Sequence, residues 1–282
     1  MRVIIRRPLY FAVFAIIMLL VSIFEYNILL PLLFGFSAIG TGSLLEAFLS
    51  FNQFFFNLAA SMGTFNTGII KILISAAAAA AGMAALLSGL FQLAGNALEN
   101  KEKQKGEFQA GIKKHFFTIF LLNLIFIPVY SLYMVFIMVA CIPAAAISRI
   151  ALSSRPEFMA AALLIDLVTL GVVFFTFMFL RLYTLFCYPA AVSSVKKVFT
   201  SGKTFVDNHF WVVTGRMIVF DAVFFAVQGG FIAAKLAAMH REEINIFYLS
   251  GLLLADWAFK TFFFACFASF VFSTYKERGH SR

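Results

Sequence analysis

Charge is what this sequence has least of: Asp, Glu, Lys and Arg together make up 12% of its 282 residues, where a soluble domain carries roughly 25%. Since 62% of the chain is hydrophobic, a soluble fold is excluded, for no interior of that size hides so much apolar surface. Polar stretches long enough for a separate soluble domain are missing too. Cysteine is sparse: Cys141, Cys187 and Cys266 stand far apart with no CxxC and no Cys/His cluster, a pattern that excludes a disulfide framework and a sequence-legible metal site. Neither a metal nor a cofactor is expected. No Asn-x-Ser/Thr acceptor occurs, which fits a bacterial protein. HExxH, Gly-x-Ser-x-Gly and P-loop patterns are all absent, so the chain reads as non-enzymatic.

What the sequence does hold is apolar runs of membrane-spanning length. A helix needs about 20 such residues to cross the hydrocarbon core. The runs predict six spans, near Leu9–Leu33, Gly68–Leu93, Phe116–Ile142, Met159–Tyr188, Trp211–Met239 and Ile246–Tyr275. The expected fold is therefore an all-α polytopic transmembrane bundle in a single integral membrane domain, residues 1–282. The basic start Met1–Arg7 resembles a signal peptide, but its apolar stretch continues to Phe36 without an Ala-x-Ala site, so it is expected to remain as the first span.

Lys and Arg set the orientation. Fourteen fall on one side of the six-span arrangement: Arg2, Arg6 and Arg7; Lys101, Lys103, Lys105, Lys113 and Lys114; Lys196, Lys197 and Lys203; Lys276, Arg278 and Arg282. Arg149, Arg155 and Arg241 alone fall on the other. By the positive-inside rule both termini are cytoplasmic, which predicts a multi-pass protein of the cell (inner) membrane. The same rule absorbs the net charge of +9: the basic segments face anionic lipid headgroups, and no basic surface interleaved with aromatics suggests nucleic acid.

One external segment predicts an additional helix. Over Leu44–Leu58, the polar residues Glu46, Ser50, Gln53 and Asn57 recur at helical spacing among phenylalanines, and Ser43 with Glu46 forms a capping box. An amphipathic interfacial helix is expected there. The alanine run Ala76–Ala81 predicts close helix packing in the second span, and Gly229–Gly230 a close approach or a bend in the fifth. Lys113-Lys114-His115-Phe116-Phe117 parallels Asp207-Asn208-His209-Phe210-Trp211 at a spacing of 94 residues, a possible internal repeat over 94–142 and 188–239.

The stretch from Arg181 through Cys187-Tyr188-Pro189 and Ser193–Lys203 to Asn208-His209-Phe210-Trp211 resembles multi-span bacterial families of unknown function, including the membrane domain that accompanies some glycerophosphodiester phosphodiesterases. The match covers about 30 residues and holds no catalytic motif. It implies a membrane module without the phosphodiesterase domain.

Ionisable residues inside the spans are the candidate functional groups, because each costs about 2.5–3.5 kcal/mol at mid-bilayer and so pairs or faces water. Glu25, Lys71, Asp166, Lys235, Asp256 and Lys260 fall in the outer half, and Arg181, Arg216 and Asp221 toward the cytoplasm. Asp256 and Lys260, spaced i, i+4, are expected to pair on one helix. The two layers read either as vestibules of a transport route or as structural ion pairs, and the structural reading is preferred. The expectation is thus an accessory or assembly subunit, or a lipid- or envelope-associated protein, contacting membrane lipids and a membrane protein partner or a second copy of itself. A small-solute or lipid permease is the alternative.

Overall fold

The computed structural model describes residues 3, 6–24, 65–153, 156–193, 197–239 and 246–279. Apart from short connections such as residues 99–106 these are helical, without a strand among the described residues. The helices are α1 (Pro8–Phe24), α2 (Phe65–Leu98), α3 (Glu107–Ser153), α4 (Met159–Leu185), α5 (Cys187–Val192), α6 (Val198–Met239) and α7 (Ile246–Gly279), with a 3₁₀ turn at Pro156–Phe158 before α4. The five helices α2, α3, α4, α6 and α7 are long and apolar enough to cross a membrane. α1 is a shorter apolar helix of 17 residues; the rest of the expected first span, and the whole of Leu44–Leu58, lie outside the described residues. The chain is an all-α helical bundle of membrane-spanning character. Its exterior agrees: Leu163, Leu164, Leu167 and Leu170 of α4 are 64–73% exposed, a continuous apolar surface that water would not tolerate.

Two helices begin earlier than hydropathy indicates. α3 starts at Glu107 rather than Phe116, and α6 at Val198 rather than Trp211. In α3 the leading turns hold Glu107, Gln109, Lys113 and Lys114, good helix formers that hydropathy discounts; in α6 they bury Phe205 and Val206. α4 ends at Leu185 and α5 follows with Pro189 in its first turn, where a proline removes no helical hydrogen bond.

The chain divides into two compact units. Unit 1 comprises Met1–Asn27, Ala85–Ile119 and Leu182–Arg282. Its centre is α7, packed on α1 and α6. Phenylalanines dominate that packing: Phe220 touches Phe263, Phe267 and Phe270, while Phe224 and Phe231 both meet Phe259. Polar bonds set the register of α1 against α7. Buried Tyr10 donates its hydroxyl to Ala265 O at 3.0 Å and accepts from Ser269 Oγ, and Trp257 Nε1 donates to Ala15 O at 3.0 Å. In the same unit α2 meets the first turns of α3 with almost no gap. A Cβ on Gly111 would stand 2.8 Å from Ser88 O, and one on Gly89 would strike the Phe108 ring. His115 Nε2 donates across this crossing to Gln92 Oε1 at 3.0 Å.

Unit 2 comprises Ile28–Ala84 and Phe120–Arg181. Within it Asn123 Nδ2 donates to Ala80 O at 3.3 Å, and Tyr133 donates to Val173 O at 2.7 Å, which ties α3 to α2 and to α4. The alanine run behaves in part as expected. Ala80 and Ala84 are fully buried, while Ala78 and Ala79 on the opposite face are exposed.

The glycine pair of α6 needs correction. Gly229 and Gly230 are exposed, and a Cβ on either would meet nothing within 4 Å. The bend in α6 lies at His209 instead, where φ is −127° and ψ is 16°. His209 Nδ1 donates to Phe205 O at 3.1 Å there.

Candidate functional site: a buried charge triad

The most enclosed charges in unit 1 form one cluster. Asp256 and Lys260 lie one turn apart on α7, and Lys260 Nζ donates to Asp256 Oδ2 at 2.9 Å. Lys235, near the end of α6, donates to the same oxygen at 2.5 Å. Side-chain exposure is 4–5% for the lysines and 1% for the aspartate. The expected pair is therefore part of a triad that bridges two helices. Phe259, one residue before Lys260, packs against Phe224 and Phe231 of α6 and closes the approach from that side. The Asp256 carboxylate gives each ammonium an opposite charge to face where a lone charge would be costly. Asp256 Oδ1, also buried, has no hydrogen-bond partner among the described residues, and neither has buried Gln228 Oε1.

The other candidates are placed separately. In unit 2, Asp166 accepts from Ser148 Oγ at 2.6 Å, and the Arg181 guanidinium lies 5.8 Å from the centre of the Phe177 ring. Arg216 of α6 is exposed and Asp221 is buried. Lys71 is on α2 ahead of the span that begins at Leu73, and its side chain lies outside the described set, as does all of Glu25. No group of three His, Cys, Asp or Glu side chains suited to a metal occurs among the described residues.

A second polar centre was not anticipated. Arg7, read from the sequence as an orienting charge, is 5% exposed and forms an ion pair with Glu107: Nη2 donates to Oε1 at 3.0 Å, and Nε lies 2.9 Å from Oε2. Its Nη2 also donates to Lys101 O, and Gln104 N donates to Glu107 Oε1. Beside it Arg6 donates to Asn100 Oδ1. Glu99 pairs with Lys101 at 2.5 Å and Lys276 at 3.1 Å; the Lys101 hydrogen bond is the main reason its carboxyl titrates below the usual range. The basic end of unit 1 is thus a network joining the amino-terminal arm, the α2–α3 connection and the end of α7. A carboxylate at the start of a span, among lysines, was the sequence signal for Glu107.

Two clefts open at that end. One, of about 460 Å³, runs along Arg7–Leu9 and Lys103–Gln109. The larger, of about 660 Å³, is bounded by Val3, the end of α2, Phe220 and α7.

No protein-family model, curated protein or solved structure matches this chain.

Proposed function

We propose that the chain is a non-enzymatic multi-pass protein of the cell (inner) membrane with both termini cytoplasmic, acting as an accessory or assembly subunit or as a lipid- or envelope-associated component. The triad carries this reading. Lys235, Asp256 and Lys260 are 1–5% exposed at their side chains, and both lysines donate to the one oxygen Asp256 Oδ2, which suits groups that lock α6 to α7 better than groups that meet a passing solute. The extensive exposed apolar face of α4 supports contact with lipid or with another membrane protein. The orientation rests on the Lys/Arg asymmetry. The test is purification from native membranes in mild detergent. A membrane protein recovered in stoichiometric amount, and lost when Leu167→Lys and Leu170→Lys are introduced on the α4 face, is the expected result. A chain that purifies alone and accumulates a solute or flips a lipid in liposomes contradicts it.

The permease reading keeps one observation in its favour: the bare, buried Asp256 Oδ1 and Gln228 Oε1 are acceptors that a polar substrate could use. Under that reading Lys235, Asp256 and Lys260 contact substrate, and removing their charges abolishes function without unfolding the protein.

A further inference from the structure

We infer that the larger cleft of unit 1 is a binding site for an anionic phospholipid, with an acyl chain inside and the headgroup at its mouth; this rests on the chain being a membrane protein and not on its being a subunit of anything. The cleft encloses about 660 Å³, inside the roughly 300–1,000 Å³ range of ligand pockets. Along α7 its lining runs through Cys266, Ser269, Ser273, Lys276 and Glu277. These three- and four-residue steps define one helical face, about 16 Å long at 1.5 Å per residue.

Polarity is graded along that face. At the inner end the half-buried rings of Phe220 and Phe270 pack against each other beside Cys266. At the other, Asn100 and Glu277 are exposed, with Lys276 between. A hydrophilic solute gains nothing from two phenylalanine rings. A wholly apolar ligand strips water from Lys276 and Glu277 without replacing it. An amphiphile satisfies both ends, and α7 runs from the basic interface into the apolar span, as a lipid does.

The sign of the headgroup follows from the mouth. Arg6 is held there by Asn100, and Glu99 is shared by Lys101 and Lys276. Three cations against Glu99 and Glu277 leave a positive excess for a phosphate, which Lys and Arg recognise through charge-assisted hydrogen bonds.

Full-length protein in mild detergent is offered equal amounts of dioleoyl phosphatidylglycerol and dioleoyl phosphatidylcholine, and retained lipid is counted by native mass spectrometry. One phosphatidylglycerol is retained with at least a tenfold preference. Ser273→Phe, which fills the cleft, loses the retained lipid, and Lys276→Gln, a change at the mouth, brings the preference toward parity with an unchanged melting temperature. Val219→Phe, on the exposed surface of α6, has no effect. Equal retention of both lipids by the native chain overturns the site, as does a preference that survives Lys276→Gln, whether or not Ser273→Phe folds. Loss of this site leaves the proposed function standing, since partner recovery is read in a separate experiment.

Discussion

Lys235 reaches Asp256 across the α6–α7 interface at 2.5 Å, onto the oxygen that Lys260 also occupies. This contact changes what a charge-removal experiment means. Replacing Asp256 and Lys260 together, the neutral change for an isolated pair, takes from buried Lys235 the carboxylate it donates to. Asp256→Leu/Lys260→Met is therefore expected to lower thermal stability in detergent by about 3 kcal/mol, the scale on which a buried ion pair loses one partner, with folded yield falling accordingly. A double variant as stable as wild type removes Lys235 from the cluster.

Arg7 and Glu107 make the second long-range pair. Both are 5% exposed at the side chain, so Arg7→Ala or Glu107→Ala alone is expected to cost about 3–5 kcal/mol. Arg7→Lys keeps the charge but loses the planar guanidinium whose Nη2 reaches both Glu107 and Lys101 O, and should fall in between. Thermal unfolding followed by size-exclusion fluorescence measures all three.

Gly111 should resist even a methyl group. Its Cβ would stand 2.8 Å from Ser88 O and 2.5 Å from Gln92 Cβ, and a backbone carbonyl has little room to yield. Gly111→Ala is expected to destabilise by about 1–3 kcal/mol and to weaken the His115–Gln92 bond. Gly229→Ala, with nothing within 4 Å, should be neutral or slightly stabilising through helix propensity. Equal melting temperatures for the two variants would reject the close crossing.

Glu99 predicts an acid limb. Its carboxyl, ordinarily titrating near 4.5, is held lower in the folded chain, first by the hydrogen bond from Lys101. A depressed carboxylate stabilises the fold above its unfolded value, and that contribution fades as pH falls through the folded one. Native stability should therefore drop more steeply below pH 4.5 than that of Glu99→Gln. Because Glu99 is 41% exposed at its side chain, the difference should be small and should shrink in high salt. Parallel pH curves for the two proteins would show that the network at this end is not coupled to folding.

Which of these features could be read from the sequence follows a physical rule. The spans were legible because bilayer thickness demands long apolar runs, and the Asp256–Lys260 contact because helical geometry sets i, i+4 neighbours. Lys235 was legible as an intramembrane charge but not as a partner, since its place depends on how α6 and α7 slide along their phenylalanine faces. Arg7 and Glu107 are 100 residues apart, and hydropathy assigns both to connections. The early starts of α3 and α6 were hidden because hydropathy ends where lysines begin, whereas helical hydrogen bonding does not. The His209 kink involves no proline or glycine, so the glycine pair drew attention to the wrong turn of α6.

The proposed structural role of the triad is tested most directly by removing all three charges at once, in Lys235→Met/Asp256→Leu/Lys260→Met. With no charge left uncompensated, this variant is predicted to recover the stability that the double variant loses, and to restore fully the phenotype of a strain deleted for the gene. A triple variant that folds with native yield and melting temperature but fails to complement would contradict the account, because the charges would then be doing chemistry or binding that scaffolding does not require.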